Sequence, residues 1–193
     1  MKKDSNPFPS FIDITKQEPP YKLTIDANRI NAQGTLPWMN VLRRWEQEGK
    51  VSIHGSLRFR DEAANHSVQP EARSIALMIS DSAEPWILGV SCLGECYLTA
   101  NNGPSTHEIT KTLFPRTLLP LSRNRLIDVL HILSHYYSGR DVFLTDNHKD
   151  FIHDKKQKDV KRIEMYRRWR IVVLFDHELV DLLARRHGWS NKS

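Results

Sequence analysis

The chain is expected to fold as an α/β domain, a three-layer α/β/α sandwich around a mainly parallel sheet. Three observations predict this. Short apolar runs alternate with amphipathic helical stretches along most of the 193 residues, the pattern left by strands joined through helical crossovers. Two of the runs, "LTID" at 23–26 and "VFLTD" at 142–146, stop on an acid. Carboxylates at the carboxyl ends of strands are where open α/β sheets gather ligand chemistry, although Asp and Asn also serve as plain turn formers. The length suits one well-buried core better than two.

The first twenty residues, "MKKDSNPFPSFIDITKQEPP", mix lysines, acids and prolines without an apolar core. They read as a loosely ordered arm rather than a secretory signal. Residues 21–188 form the domain, and 189–193 a tail. The first strand, in "YKLTIDANRINAQG", ends at Asp26. A helix follows in "GTLPWMNVLRRWEQEGK", where Pro37 suits the first turn, Trp38, Val41, Leu42 and Trp45 share one face, and Gly49 stops it. "VSIH" (51–54) is the next strand. A helix carrying Asp61 and Glu62 is expected after it, then a second helix over 70–80. Two strands or a hairpin are expected within 86–99, and "NNGPST" is a loop. The 66–115 region is the least regular and reads as an insertion over one edge.

The helix "LSRNRLIDVLHILSHYYSG" (121–139) takes Ser122 as N-cap and Gly139 as its stop. "DVFLT" (141–145) and "RIVVLF" (170–175) are strands, and "DHELVDLLARRHG" (176–188) is the last helix, ended by Gly188. No run approaches the ~18 apolar residues of a membrane span, so no membrane partner is expected. The two cysteines, Cys92 and Cys96, lack the spacing and second pair of a zinc site and are expected as reduced thiols in a cytoplasmic protein.

Four acids stand where such a fold can bring them together. Asp26 and Asp146 close two strands that point the same way in a parallel sheet, so both emerge at one rim. Asp128 lies on the helix feeding the second of these strands, among Leu126, Ile127 and Leu130. Glu62 lies on the helix after "VSIH". Taken singly, each is accounted for as a turn former, a helix N-terminal acid or a surface residue; their combination points to chemistry.

At these residues the chain resembles the PIN-domain family of metal-dependent nucleases. "IDANRINA" looks like that family's opening strand ending in Asp-x-Asn. "IDVLHILSHYYSGRDVFLTDNHKDF" (127–151) resembles its run of acid, apolar helix, Gly-containing turn, apolar strand ending in Thr, acid, and terminal Asp-Phe. "RIVVLFDHELVDLL" is similar to its last strand and helix. The resemblance implies a nuclease using Mg²⁺ or Mn²⁺, with Asp26, Glu62, Asp128 and Asp146 in catalytic places and Asn28 as a supporting polar residue. The family writes its fourth acid second after the Thr, whereas Asp146 follows Thr145 directly. Asp150 therefore competes with or joins Asp26, Asp128 and Asp146 as a metal ligand, and Asp61 competes with Glu62. RNA is the implied substrate in preference to DNA. Small toxin members of the family suggest an antitoxin-like inhibitor as partner, and a homodimer is compatible with it.

Such chemistry asks for oxygen donors. Magnesium and manganese prefer carboxylates, and magnesium keeps waters while sharing phosphate oxygens with a substrate. A metal would lower the pKa of a bound water for attack on phosphorus, so no nucleophilic side chain is required. The net charge of +5 permits an anionic partner. Its excess is concentrated in "KKQKDVKRIEMYRRWR" (155–170), directly after the fourth acid. Lys155, Lys156, Lys158, Lys161 and Arg162 are the expected phosphate contacts, against the alternative of a solvated helix face with Tyr166 and Trp169 turned inward. Three rival readings remain. Asp128, His131 and His135 share a helical face that would suit zinc. An aspartyl phosphatase at Asp26 lacks the second acid of Asp-x-Asp. A PIN-like fold without activity would be an RNA- or protein-binding module.

Overall fold

A computed structural model describes residues 18–26, 37–56, 80–82, 84–85, 96–97, 103–117, 120–152 and 159–191. Its elements are β1 (Tyr21–Ile25), α1 (Pro37–Gln47), β2 (Val51–Ser56), β3 (Ser80–Ser82), β4 (Glu84–Pro85), β5 (Cys96–Tyr97), α2 (Thr106–Leu113) and α3 (Arg123–Tyr137). After these come β6 (Val142–Leu144), a π-helical turn (His148–Ile152), α4 (Val160–Trp169), β7 (Val173–Leu174) and α5 (Asp176–His187). The chain has an α/β fold. β4 and β5 pair in parallel; apart from β5, the 86–99 stretch expected to form two strands or a hairpin lies outside the described residues. Ser80, expected to end a helix, instead opens β3. The short α2 falls in the stretch expected to be irregular.

The main sheet has the order β3-β2-β1-β6-β7, and each of its pairings is parallel. β1 sits in the middle, with Leu23 opposite Ile53 on one side and Val142 on the other. The chain moves outward from β1 to β2 and β3, then returns to the other side of β1 as β6 and β7. The boundary between β1 and β6 is therefore the topological switch point of the sheet, beyond whose carboxyl ends such folds place their ligands.

Strand side chains alternate between two apolar clusters, because successive residues point to opposite faces. Tyr21, Leu23, Ile25, Val142, Leu144, Val172 and Leu174 join Met39, Leu42 and Trp45 of α1 and Leu179, Val180 and Leu183 of α5. Phe143, Val173 and Ile171 join Ile109 of α2, Val129, Ile132 and Leu133 of α3, and Met165 of α4. Burial on both faces explains why these strands read as continuous apolar runs. Gly49, Gly139 and Gly188 adopt left-handed backbone at helix ends, a conformation that glycine accepts without a Cβ clash. Ser122 occupies the N-cap of α3, but its side chain makes no capping hydrogen bond.

Candidate functional site at the carboxyl rim of β1 and β6

Asp26 follows β1 at the switch point. Its backbone N–H donates to Leu144 O at 2.9 Å, which ties the end of β1 to the end of β6. Its carboxylate is buried, with 5% of the residue exposed. Thr145, wholly buried, donates its hydroxyl to Asp26 Oδ2 at 2.8 Å. The same hydroxyl oxygen accepts from Asn147 N–H at 3.0 Å, so its one proton is directed at the carboxylate. This is the physical role of the Thr that ends the apolar strand: it holds a buried acid in one orientation.

The contacts continue outward. Asn147 Nδ2 donates to Asp150 Oδ2 at 2.9 Å, and Asp150 N–H donates back to Asn147 Oδ1 at 3.1 Å. Phe151 and Ile152 are fully buried and anchor the π-helical turn. Lys161 of α4 donates its ammonium to Lys149 O at 2.6 Å and to Asp150 O at 3.0 Å. A polar chain thus runs from Asp26 through Thr145, Asn147 and Asp150 to Lys161. Asp146 is exposed, with 61% of its side chain open to solvent and its Oδ1 3.9 Å from His148 Nε2.

Below Asp26 on the same strand, Thr24 meets α3. His135 Nδ1 lies 2.9 Å from Thr24 Oγ1, and Arg140 Nη1 donates to that oxygen at 3.2 Å. Burial, and secondarily the charge of Arg140, pushes the His135 imidazolium pKa down to about 3. The ring is therefore neutral at ordinary pH. α3 runs antiparallel to β1, since its end turns directly into β6. With His135 level with Thr24, Asp128 stands about 10 Å further along the helix axis, toward the rim that carries Asp26. His131 and His135 are both buried.

Two of the expected phosphate contacts are corrected by this arrangement. Lys161 and Arg162 are 7% and 3% exposed. Lys161 holds the backbone of the π-helical turn, and Arg162 pairs with Glu178 at 2.7 Å and Asp159 at 2.8 Å. Both side chains are turned inward, because a buried charge requires acceptors and the protein itself supplies them. Asn28, Asp61, Glu62, Lys155, Lys156 and Lys158 lie outside the described residues, as do Cys92 and most of 66–102.

One acid escaped the sequence reading. Asp176 closes β7 as Asp26 closes β1, in "RIVVLFD", and is 3% exposed. It starts α5, where the helix N-terminus favours a carboxylate, and its Oδ1 accepts from His177 N–H at 3.0 Å. The signal was the same apolar-run-then-acid that drew attention to the other two strands.

Among the described residues, no three His, Cys, Asp or Glu side chains gather closely enough to hold one ion. The donors that are present are carboxylate and hydroxyl oxygens, which suit Mg²⁺ or Mn²⁺. Such ions commonly take one or two carboxylates, with water and substrate phosphate completing the shell, so the donor set fits that kind of site without a closed protein cage. Comparison with protein-family models, with curated proteins and with solved structures found no match.

Proposed function

We propose that the protein is a Mg²⁺- or Mn²⁺-dependent nuclease acting on RNA, with a three-layer PIN-like sandwich as its fold. One observation carries the reading: a buried carboxylate, Asp26, fixed by Thr145 at the switch point between β1 and β6. Apolar clusters fed by alternate residues of the strands support the layered fold. In this reading Asp26 is the central metal-binding acid, and Asp128 approaches from α3. Asp146 or Asp150 contributes from the end of β6, and Glu62 or Asp61 supplies the further acid. The ion, when bound, supplies a nucleophilic water and offsets charge on phosphorus. The chain's own contribution is to orient the Asp26 carboxylate, through the Thr145 hydroxyl and the Asn147 N–H behind it.

The alternative is a PIN-like RNA- or protein-binding module without activity. The exposure of Asp146 and the absence of three gathered ligands among the described residues favour it. Incubating the purified protein with single-stranded and structured RNA separates the two. Cleavage is expected with Mn²⁺, is expected to stop with EDTA, and is expected to be lost in Asp26→Asn and Asp128→Asn. Cleavage surviving EDTA and both substitutions would refute the metal-nuclease reading. RNA binding without cleavage would favour the module.

A further inference from the structure

The last turn of α4 carries bases that the site above does not use. Arg167, Arg168 and Arg170 are all exposed. A helix C-terminus favours cations, which accounts for Arg167 and Arg168 within the helix. It does not account for Arg170. This residue is the C-cap of α4 and holds left-handed backbone, with φ 60° and ψ 22°. At the ends of α1, α3 and α5 the same conformation falls to Gly49, Gly139 and Gly188. An L-residue with a Cβ meets a steric penalty there that glycine escapes. Backbone strain kept beneath an exposed side chain points to a use for that side chain.

Two rings set the guanidinium groups in place. Arg170 lies over Tyr166, 5.1 Å from the ring centroid, and Arg168 over Trp169, at 4.4 Å. Both rings are half-buried, packed against the two apolar clusters. A ring beneath a guanidinium attracts its charge and limits its travel, while the N–H donors remain at the edges of the cation. Arg168 is also paired, with Glu108 of α2 at 3.1 Å and with Glu164 at 3.8 Å. Arg167 and Arg170 make no ion pair among the described residues. They stand three positions apart, on one side of the helix, so two unneutralised charges are neighbours. Lys111, exposed and one turn beyond Glu108 on α2, extends the same surface.

α4 starts beside the π-helical turn, where Lys161 holds the backbone of Lys149 and Asp150, and ends where the chain enters β7. Arg170 precedes Leu174, at the carboxyl end of β7, by four residues, at most roughly 14 Å of chain. β7 borders β6, so the flank of α4 leads from the Asp26 rim to the arginines. We propose that Arg167 and Arg170 bind the phosphate backbone of a single-stranded RNA whose neighbouring nucleotides lie at the Asp26 rim. The choice of ligand rests on the RNA-cleaving reading. Guanidinium groups match phosphate with parallel N–H donors, and counterion release drives such contacts. Glu108 and Glu164 occupy Arg168, which leaves Arg167 and Arg170 for the phosphates. Backbone contacts carry no sequence information, so the two arginines hold and orient the strand without selecting bases.

The test is a titration of fluorescent single-stranded RNA across salt, in Ca²⁺ to suppress turnover, together with thermal melts of the same proteins. R167A/R170G is expected to bind about tenfold or more weakly than wild type at about 0.1 M salt, with a salt slope smaller in magnitude by about 1.4, at about 0.7 per phosphate of a single strand. R167K/R170K keeps both charges and is expected to keep most of the slope. R170G alone is expected to melt no lower than wild type, because glycine relieves the left-handed strain, while binding RNA more weakly. Stability and binding then move apart, which a structural role for Arg170 does not produce. Unchanged affinity in R167A/R170G, lost affinity with an unchanged slope, or a lower Tm in R170G each overturns the proposal. Polyglutamate that competes as well as unlabelled RNA would assign the surface to an acidic protein and overturn it too. Binding that depends on the arginines, without cleavage in Mn²⁺, would refute the nuclease and leave the phosphate contacts standing. Cleavage with binding that ignores the arginines would do the reverse.

Discussion

Thr24 receives two nitrogen partners, and one of them, His135, reports on burial. The native imidazole takes up a proton only near pH 3, while in an unfolded chain it does so near pH 6.5. Between these values the unfolded state binds more protons, so stability falls as pH drops through that window and is unaffected above it. Near pH 5 the penalty from this one group is roughly 2 kcal/mol. His135→Asn removes the titration while leaving a polar atom near Thr24. Denaturant melts should show a smaller loss between pH 7 and pH 5 for the variant than for wild type. An equal loss in both would assign the acid sensitivity to other groups. The sequence placed Asp128, His131 and His135 on one helical face, which the helix spacing fixes. It could not say that the two histidines are buried, because that depends on tertiary packing: His135 meets Thr24, far away in the chain, and Phe143 on the following strand.

Among the elements, α2 and α4 show how far local pattern reaches. α2 begins with a capping box: Ser105 Oγ accepts from Glu108 N–H at 3.2 Å, and Ser105 N–H donates to Glu108 Oε2 at 2.9 Å. That S-x-x-E signal was in the sequence. It was masked by a short element rich in threonine, which lowers helix propensity. In α4 the failure was different. The basic run was legible, yet the acceptors that draw two of its members inward belong to the π-helical turn and to α5. Arg162 lies between Asp159 and Glu178, and Glu178 Oε2 also accepts the Phe175 N–H at 3.0 Å, closing the start of α5. Removing one partner strands a buried charge. Glu178→Gln and Arg162→Met should each cost about 3 kcal/mol. The double variant should cost clearly less than the sum, with a coupling of about 1 kcal/mol or more. Urea unfolding of the four proteins measures this, and strict additivity would mean that the pair contributes nothing as a pair.

On the scale of the molecule, the two rims of the sheet divide the work. At the amino rim, Tyr21 pairs its hydroxyl with His187 at 2.9 Å, and Trp189 packs on Trp45, His187 and Tyr21. Lys50 lies over the Trp189 ring, and Ser190 O accepts from Trp45 Nε1. This is a seal, made of rings and stems with their polar tips satisfied. At the carboxyl rim, strands end in acids held by hydroxyl, amide and helix N-terminus. The alternation of strands and helices was readable and implied that the acids share a rim. The strand order was not, because β1 pairs on one side with β2 and on the other with β6, and the second pairing joins residues more than a hundred positions apart, beyond any local periodicity. The division makes a paired prediction. Trp189→Ala should destabilise the protein by about 2 kcal/mol; under the metal-dependent proposal Mn²⁺ should raise the Tm of wild type, and of this variant by the same amount, since an ion that binds only the native state adds the same increment to either protein. Asp26→Asn should abolish most of that rise. Melts of the three proteins with Mn²⁺ and with EDTA are sufficient. A full rise in Asp26→Asn would place any bound ion away from the β1–β6 rim. Loss of the rise in Trp189→Ala would mean that the amino-rim seal sets the geometry of the acids across the length of the strands, and that the two rims act as one unit.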